Sequence, residues 1–173
     1  MPLWKALTAV DKFMVISTKS NSIPPTCLSI CIATYNRVFL VTRLVEYLVS
    51  LTGDFEICVH VDGSSDGSFE QLCQISDPRL RLSYSENMGF GPARANAFAL
   101  ASGRFTMWLD DDDTLLPEGL EVIMRFCSME LPAKIAGYVF HVCDPQGNLI
   151  GNEFDCDLAN LFNLRFDSVS SPI

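Results

Sequence analysis

From Leu28 onward the chain is written in alternating apolar and polar blocks. Leu28–Ala33 is a short apolar run, closed by the polar loop Thr34-Tyr35-Asn36-Arg37. Val38–Leu51 places Leu40, Leu44, Leu48 and Leu51 on one stripe with Arg43 and Glu46 off it, the spacing of an amphipathic helix. Gly53-Asp54 breaks that helix, and Phe55–Val61 is a second apolar run. The turn-rich loop Asp62-Gly63-Ser64-Ser65-Asp66-Gly67 then leads to a shorter helix over Phe69–Ile75. Leu80–Tyr84 predicts a third strand. Pro92 suits the first position of a helix that runs to Ser102 and stops at Gly103. A strand around Trp108 and a helix from Pro117 to about Met129 complete the series. Near-continuous apolar strands that alternate with helices predict a parallel sheet covered on both faces. Beyond it, Ile135–Cys143, the turn Asp144-Pro145-Gln146-Gly147 and Asn148–Ile150 predict a hairpin.

The chain before Leu28 carries no comparable pattern. Lys5, Asp11 and Lys12 interrupt a moderately apolar stretch, which is too short and too charged for a membrane span or an ordinary signal peptide. Residues 1–26 are therefore expected to be a leader, either poorly ordered or a short interfacial helix, and residues 27–173 a single domain. At 173 residues, 49% apolar and 19% charged, the chain has the composition of a globular protein with a full core. A net charge of −9 argues against a nucleic-acid footprint, which needs a basic patch. The seven cysteines include no C-x-x-C pair and read as reduced, mostly buried thiols of a cytoplasmic protein, not as a zinc site.

Candidate chemistry lies where the apolar runs end. The strand Phe105–Leu109 runs straight into Asp110-Asp111-Asp112-Asp113, and Pro117 follows. Four adjacent carboxylates repel one another, so folding alone gains nothing from them. Hard oxygen ligands at the end of a strand suit Mg²⁺ or Mn²⁺. In an open parallel sheet the carboxyl ends of strands are also where ligands bind. After the first strand, Thr34, Tyr35 and Asn36 offer hydrogen bonds and a ring for a flat base. After the second, Asp62 and Asp66 flank small residues in a loop that imitates the start of a calcium-binding EF-hand. That imitation fails at its twelfth position, where Cys73 stands in place of glutamate. After the third, Glu86 to Pro92 is glycine-rich and leads to a helix carrying Arg94, a residue suited to a phosphate.

Leu28 to Arg37 resembles the opening motif of family 2 glycosyltransferases, and Val61 to Asp66 is similar to their V-D-D-G-S-x-D segment. Asn87 to Gly103 resembles their N-x-G…A-R-N…A-x-G helix, and Leu109 to Pro117 their L-D-x-D-D…P. The likeness covers about residues 27–125, in order and at the right spacing. It implies a GT-A (Rossmann-like) α/β fold, with a mostly parallel sheet that binds a nucleotide sugar and holds Mn²⁺ or Mg²⁺ against the diphosphate. Carried over residue by residue, the resemblance places Thr34 and Tyr35 at the nucleotide, Asp62 on the base and Arg94 near the donor. Asp110 and Asp111 fall in the cofactor-binding stretch, and Asp110 and Asp112 form the metal-binding Asp-x-Asp pair.

Three departures stand out: Ala33 for the usual proline, Val61 for the first aspartate of D-D-G-S, and Ala95 for the asparagine after the arginine. Only 61 residues follow Asp112, and none of them reads as the acidic pair that supplies a catalytic base in such enzymes. Glu153, Asp155 and Asp157 read as a surface loop, so a chain truncated at its acceptor side is one expectation. The implied reaction is inverting transfer from a UDP-, dTDP- or GDP-linked sugar to a saccharide or lipid-linked saccharide. It would take place in the cytoplasm or at the inner face of the membrane. A non-catalytic nucleotide-sugar-binding module and a sugar-phosphate nucleotidyltransferase remain as alternatives.

Overall fold

Leu28–Thr34 (β2) and Phe55–Asp62 (β3) lie side by side in parallel, with Leu28 opposite Phe55 and Thr34 opposite Val61. The computed structural model describes residues 13–17, 26–130, 137–140, 142–144 and 146–150. Leu80–Ser85 (β4) adds in parallel to the outer side of β3, and Phe105–Trp108 (β5) in parallel to the other side of β2. These four strands are the expected parallel sheet, with every carboxyl end on one side.

The pleat sorts the core. Leu28, Ile30 and Ile32 join one apolar cluster with Val41, Leu44 and Leu48 of α1 (Val38–Ser50) and Leu120 and Ile123 of α4 (Pro117–Cys127). Cys31 and Cys58 point to the opposite face and meet Ala97 of α3 (Phe90–Ala99). Alternate residues of one strand thus serve two layers, which is why the strands are apolar almost throughout. The remaining helix, α2 (Ser68–Leu72), is a short turn after β3.

Several expectations need correction. The sequence reading gives no strand before Leu28, yet Phe13–Ser17 forms β1, antiparallel to β5 and to β6 (Gly137–Phe140). The full order is β4-β3-β2-β5-β1-β6. This five-residue strand, in which Phe13, Val15 and Ile16 have strand preference, is secured by partners on both sides that lie some 90 and 120 positions away along the chain. Placement of the rest of 1–26 lies outside the described residues. The expected C-terminal hairpin is present, with Val142–Cys143 (β7) antiparallel to Leu149–Ile150 (β8), while Gly137–Phe140 ahead of it joins the main sheet. Helix α3 begins two residues before Pro92, because Gly89 supplies the extended positive-φ turn (φ 87°) that starts it.

Two glycines set the sheet's ends. A Cβ on Gly103 would lie 2.7 Å from the Ser29 hydroxyl and 2.8 Å from the Ser29 amide nitrogen. One on Gly63 (φ 69°) would lie 2.3 Å from the Asn87 amide nitrogen, so the β3 loop rests directly on the β4–α3 loop. Among the described residues the six cysteines are free thiols, with Cys73 exposed and Cys31, Cys58, Cys127 and Cys143 buried. Cys156 lies outside them. Among the described residues no helix is long and apolar enough to cross a membrane.

Candidate nucleotide and metal site

The loops at the carboxyl ends of β2 and β3 are stitched together by polar side chains. Asn36, held at a left-handed φ of 52°, receives Ser65 N–H on its Oδ1 at 2.9 Å and donates its own N–H to the Ser64 hydroxyl. Asp66 accepts Val38 N–H at 2.8 Å, at the start of α1, and Ser68 N–H and hydroxyl at the start of α2. Burial pushes the Asp66 carboxyl up, and the bonds from Ser68 and Val38 outweigh it, holding it below the usual range. Both carboxylates of the calcium-loop imitation are therefore engaged, for Asp62 is tied as well. Its buried carboxylate accepts Met88 N–H at 2.8 Å and Gly89 N–H at 2.9 Å, and Asn87 Nδ2 donates to its carbonyl.

The Asp run is not a uniform acidic surface. Leu109 N–H donates to Cys31 carbonyl, which carries the β5 backbone just past the sheet, and Asp113 N–H then closes a turn on Asp110 carbonyl at 3.1 Å. That turn drives Asp111 inward, to 5% exposure, and leaves Asp110 and Asp112 about half exposed, at 48% and 54%. Thr34 donates its hydroxyl to Asp111 Oδ2 at 2.6 Å, and Arg37 Nη1 donates to Asp111 Oδ1 at 2.7 Å and to Asp112 Oδ2 at 2.9 Å. The hydrogen bond it donates to Asp111, then the charges of Asp111 and Asp112, hold the Arg37 guanidinium above its ordinary value. Arg94 reaches across from α3 to Asp110 Oδ1 at 2.5 Å. Its guanidinium lies 4.2 Å from the centre of the Phe90 ring and 5.5 Å from that of Trp108, a stacked setting that fixes its plane.

Of the residues singled out in the sequence, Thr34, Arg94, Asp110, Asp111 and Asp112 thus meet around one acidic turn. Tyr35 stands exposed beside it. Asp62 does not join them; its carboxylate is bound to the β4–α3 loop. Glu153, Asp155 and Asp157 lie outside the described residues. Arg37 was missed as a site residue. Its only local mark is to be the one cation in the loop after the first strand; that it meets the acidic run follows from the tertiary pairing alone.

Below the site, His60 is buried against Ser83 (2.8 Å), Ser85 (3.1 Å) and Asn96 (3.3 Å), which ties α3 to β3 and β4. Burial pushes the His60 imidazole below its ordinary value, outweighing the opposite pull of Asp62. It serves as a hydrogen-bonding post under the helix that carries Arg94.

The donor set fits a hard divalent cation in part. Two exposed carboxylates on one turn are what Mg²⁺ or Mn²⁺ takes from a protein when water and phosphate oxygens fill the other positions. No cluster of three or more acidic, histidine or cysteine side chains that could hold a cation alone occurs among the described residues.

The fold is a mostly parallel α/β domain with carboxylates and arginines gathered at its strand ends. Comparison with known proteins identifies its kin. The family described as "Glycosyl transferase family 2" matches residues 29–151, and the chain belongs to that family. The chain is 31% identical over 131 residues to a chondroitin synthase of Escherichia coli, covering 74% of this chain and 19% of that protein. It is 35% identical over 129 residues to a GalNAc(5)-diNAcBac-PP-undecaprenol beta-1,3-glucosyltransferase of Campylobacter jejuni, covering 70% of this chain and 40% of the relative. The crystal structure of S. aureus TarS 1–349 superposes with a TM-score of 0.53 at 28% identity, over 57% of this chain and 31% of that one. A mannosyltransferase from Pyrobaculum calidifontis, solved with GDP-Man and Mn²⁺, shares the fold with a TM-score of 0.54 at 19% identity, over 63% of this chain and 34% of that one. This chain spans between 14% and 40% of the length of such curated relatives.

Proposed function

We propose that this chain is the donor-binding part of a metal-dependent glycosyltransferase, which holds a nucleoside diphosphate sugar over the Asp110–Asp113 turn. The observation that supports this most is the pair of Arg–Asp contacts at the strand ends, Arg37 with Asp111 and Asp112 and Arg94 with Asp110, inside the span that matches the family. Asp112 and Asp110 are the residues that would hold Mn²⁺ or Mg²⁺. When bound, such a cation offsets the charge of the departing diphosphate. Arg94, fixed by Phe90 and Trp108, offers its guanidinium to a phosphate oxygen, and Thr34 and Arg37 hold the turn in shape. Tyr35 lies beside the site as a face for the base. The donor is a UDP-, dTDP- or GDP-linked sugar, and the acceptor a saccharide or lipid-linked saccharide, transferred with inversion on the cytoplasmic side of the membrane.

Calorimetry with UDP is the test. Binding should be weak in chelator and clearly tighter with Mn²⁺; equal affinity in both removes the acidic turn as the metal site. Turnover of nucleotide sugars, with acceptors present, then separates a transferase from a module that binds without transferring. The role of Asp62 is resolved by a second pair of ligands. As a base-reading group it should cost UDP about 1–3 kcal/mol on Asp62→Ala and leave pyrophosphate unchanged. Equal losses for both ligands would mean that its bonds to Met88 and Gly89 shape the loop and the base is read elsewhere.

A further inference from the structure

Arg37 sits between two carboxylates in very different settings. Asp111 is buried and has a second partner in Thr34, whereas Asp112 is more than half exposed and, among the described residues, is bonded by Arg37 alone. Both contacts come from one nitrogen, Nη1. The Nε and Nη2 donors make no bond to a described residue, and about half of the side chain is open to solvent. The buried half of the contact is the tether. The exposed half is an ordinary surface ion pair, which contributes little and is readily given up.

Resting on the metal-dependent reading above, we propose that Arg37 is an exchangeable counter-ion for the acidic turn. It occupies Asp112 while no cation is bound and offsets part of the charge of the turn. A divalent cation arriving with a diphosphate takes Asp112 from it. Arg37 then stays tethered to Asp111 and turns its open N–H donors to the phosphate oxygens, where a planar guanidinium is well matched. The device makes cation and nucleotide binding cooperative: metal alone must displace a positive charge, whereas metal with diphosphate gives that charge a new partner.

The experiment is calorimetry of the full chain with MnCl₂ alone and with UDP at saturating Mn²⁺, for the wild type and Arg37→Met. Arg37→Met should bind Mn²⁺ alone about five- to tenfold more tightly, as the competing cation is gone, and bind UDP with Mn²⁺ about tenfold more weakly. An unchanged or weaker affinity for Mn²⁺ alone, with the metal dependence of UDP binding intact, overturns the proposal and leaves the donor-binding reading standing. UDP binding that is indifferent to Mn²⁺ in the wild type overturns both. Arg37→Met removes a partner of buried Asp111, so a second measurement uses the wild type. The side-chain Nε resonance of Arg37, assigned by its absence from the Arg37→Lys spectrum, should shift little with MgCl₂ alone and strongly with MgCl₂ and UDP together. A resonance that does not move with both ligands also overturns the exchange.

Discussion

The two ends of the parallel sheet both carry carboxylates, and the chain treats them in opposite ways. At the amino end, Glu56 is 3% exposed and accepts from the Ser29 hydroxyl at 2.6 Å, from Ser102 through both N–H and hydroxyl, from Gly103 N–H at 3.2 Å and from Arg81 Nε. At the carboxyl end, Asp110, Asp111 and Asp112 share two arginines, and Asp110 and Asp112 are about half exposed. One end is closed and satisfied. The other keeps open oxygens and open guanidinium donors, an arrangement that gains from a ligand. Saturated hydrogen bonding marks structure, and its lack at a strand end marks a site.

The largest effect expected from breaking this comparison is at the closed end. Glu56→Ala should cost about 3 kcal/mol, because it takes the charged acceptor from the buried Ser29 hydroxyl and from the part-buried N–H and hydroxyl of Ser102, and leaves Arg81 unpaired. Urea unfolding measures it. The pH dependence has a definite sign. Burial pushes the Glu56 carboxyl up, but the bonds from Ser29, Ser102 and Arg81 outweigh burial and hold it below its ordinary value of 4.5. A depressed carboxyl contributes stability that is present above the unfolded value and lost as pH falls through the folded one. The urea midpoint of the wild type should therefore fall below about pH 4.5 more steeply than that of Glu56→Gln.

Next in size is Gly103→Ala, expected to cost about 2 kcal/mol. Its Cβ would meet the backbone of Leu28 and Ser29 at 2.9 Å and less, where nothing flexible can yield, and the Ser29–Glu56 pair would be pushed apart. A full-sized loss here with nucleotide binding retained, read by thermal unfolding and calorimetry on the same sample, would show that the closed end is independent of the site.

How much of this was legible beforehand differs by kind of information. β2, β3 and β5 could be read because burial on both faces makes each an apolar run, a property of neighbouring residues alone. The acidic turn could be read for the same reason, four like charges standing directly after such a run. What could not be read depends on distant partners. Phe13–Ser17 becomes a strand through contacts with residues 105–106 and 137–140. The pairing of Arg37 with Asp111 spans 74 positions, and no local pattern selects it. Asp111, and not Asp112, turns inward because of the turn geometry after β5, which composition does not encode. Asp62 shows the reverse: its type and place suggested a ligand contact, and its carboxylate is bound to two backbone N–H groups of the next loop.

At the open end, Asp112→Asn should reduce the tightening of UDP by Mn²⁺ by about tenfold, or about 1.4 kcal/mol, in calorimetry. Binding in chelator should barely change. The two conditions separate loss of a metal contact from loss of the site, since a disordered turn would weaken both.

The smallest effect sharpens the comparison most. Asp112→Asn without ligands should leave thermal stability within about 0.5 kcal/mol of the wild type. Two small contributions oppose each other. The substitution removes the exposed ion pair with Arg37, which stabilises little at 54% exposure of the aspartate, and it relieves repulsion from Asp110, Asp111 and Asp113. Raising the salt concentration should shrink both, so the difference between wild type and variant should move toward zero. A loss near that of Glu56→Ala would place Asp112 among the groups that hold the fold, and the contrast between the two ends of the sheet would fail. Near-neutral stability together with the lost Mn²⁺ effect is the signature of a carboxylate kept for a ligand.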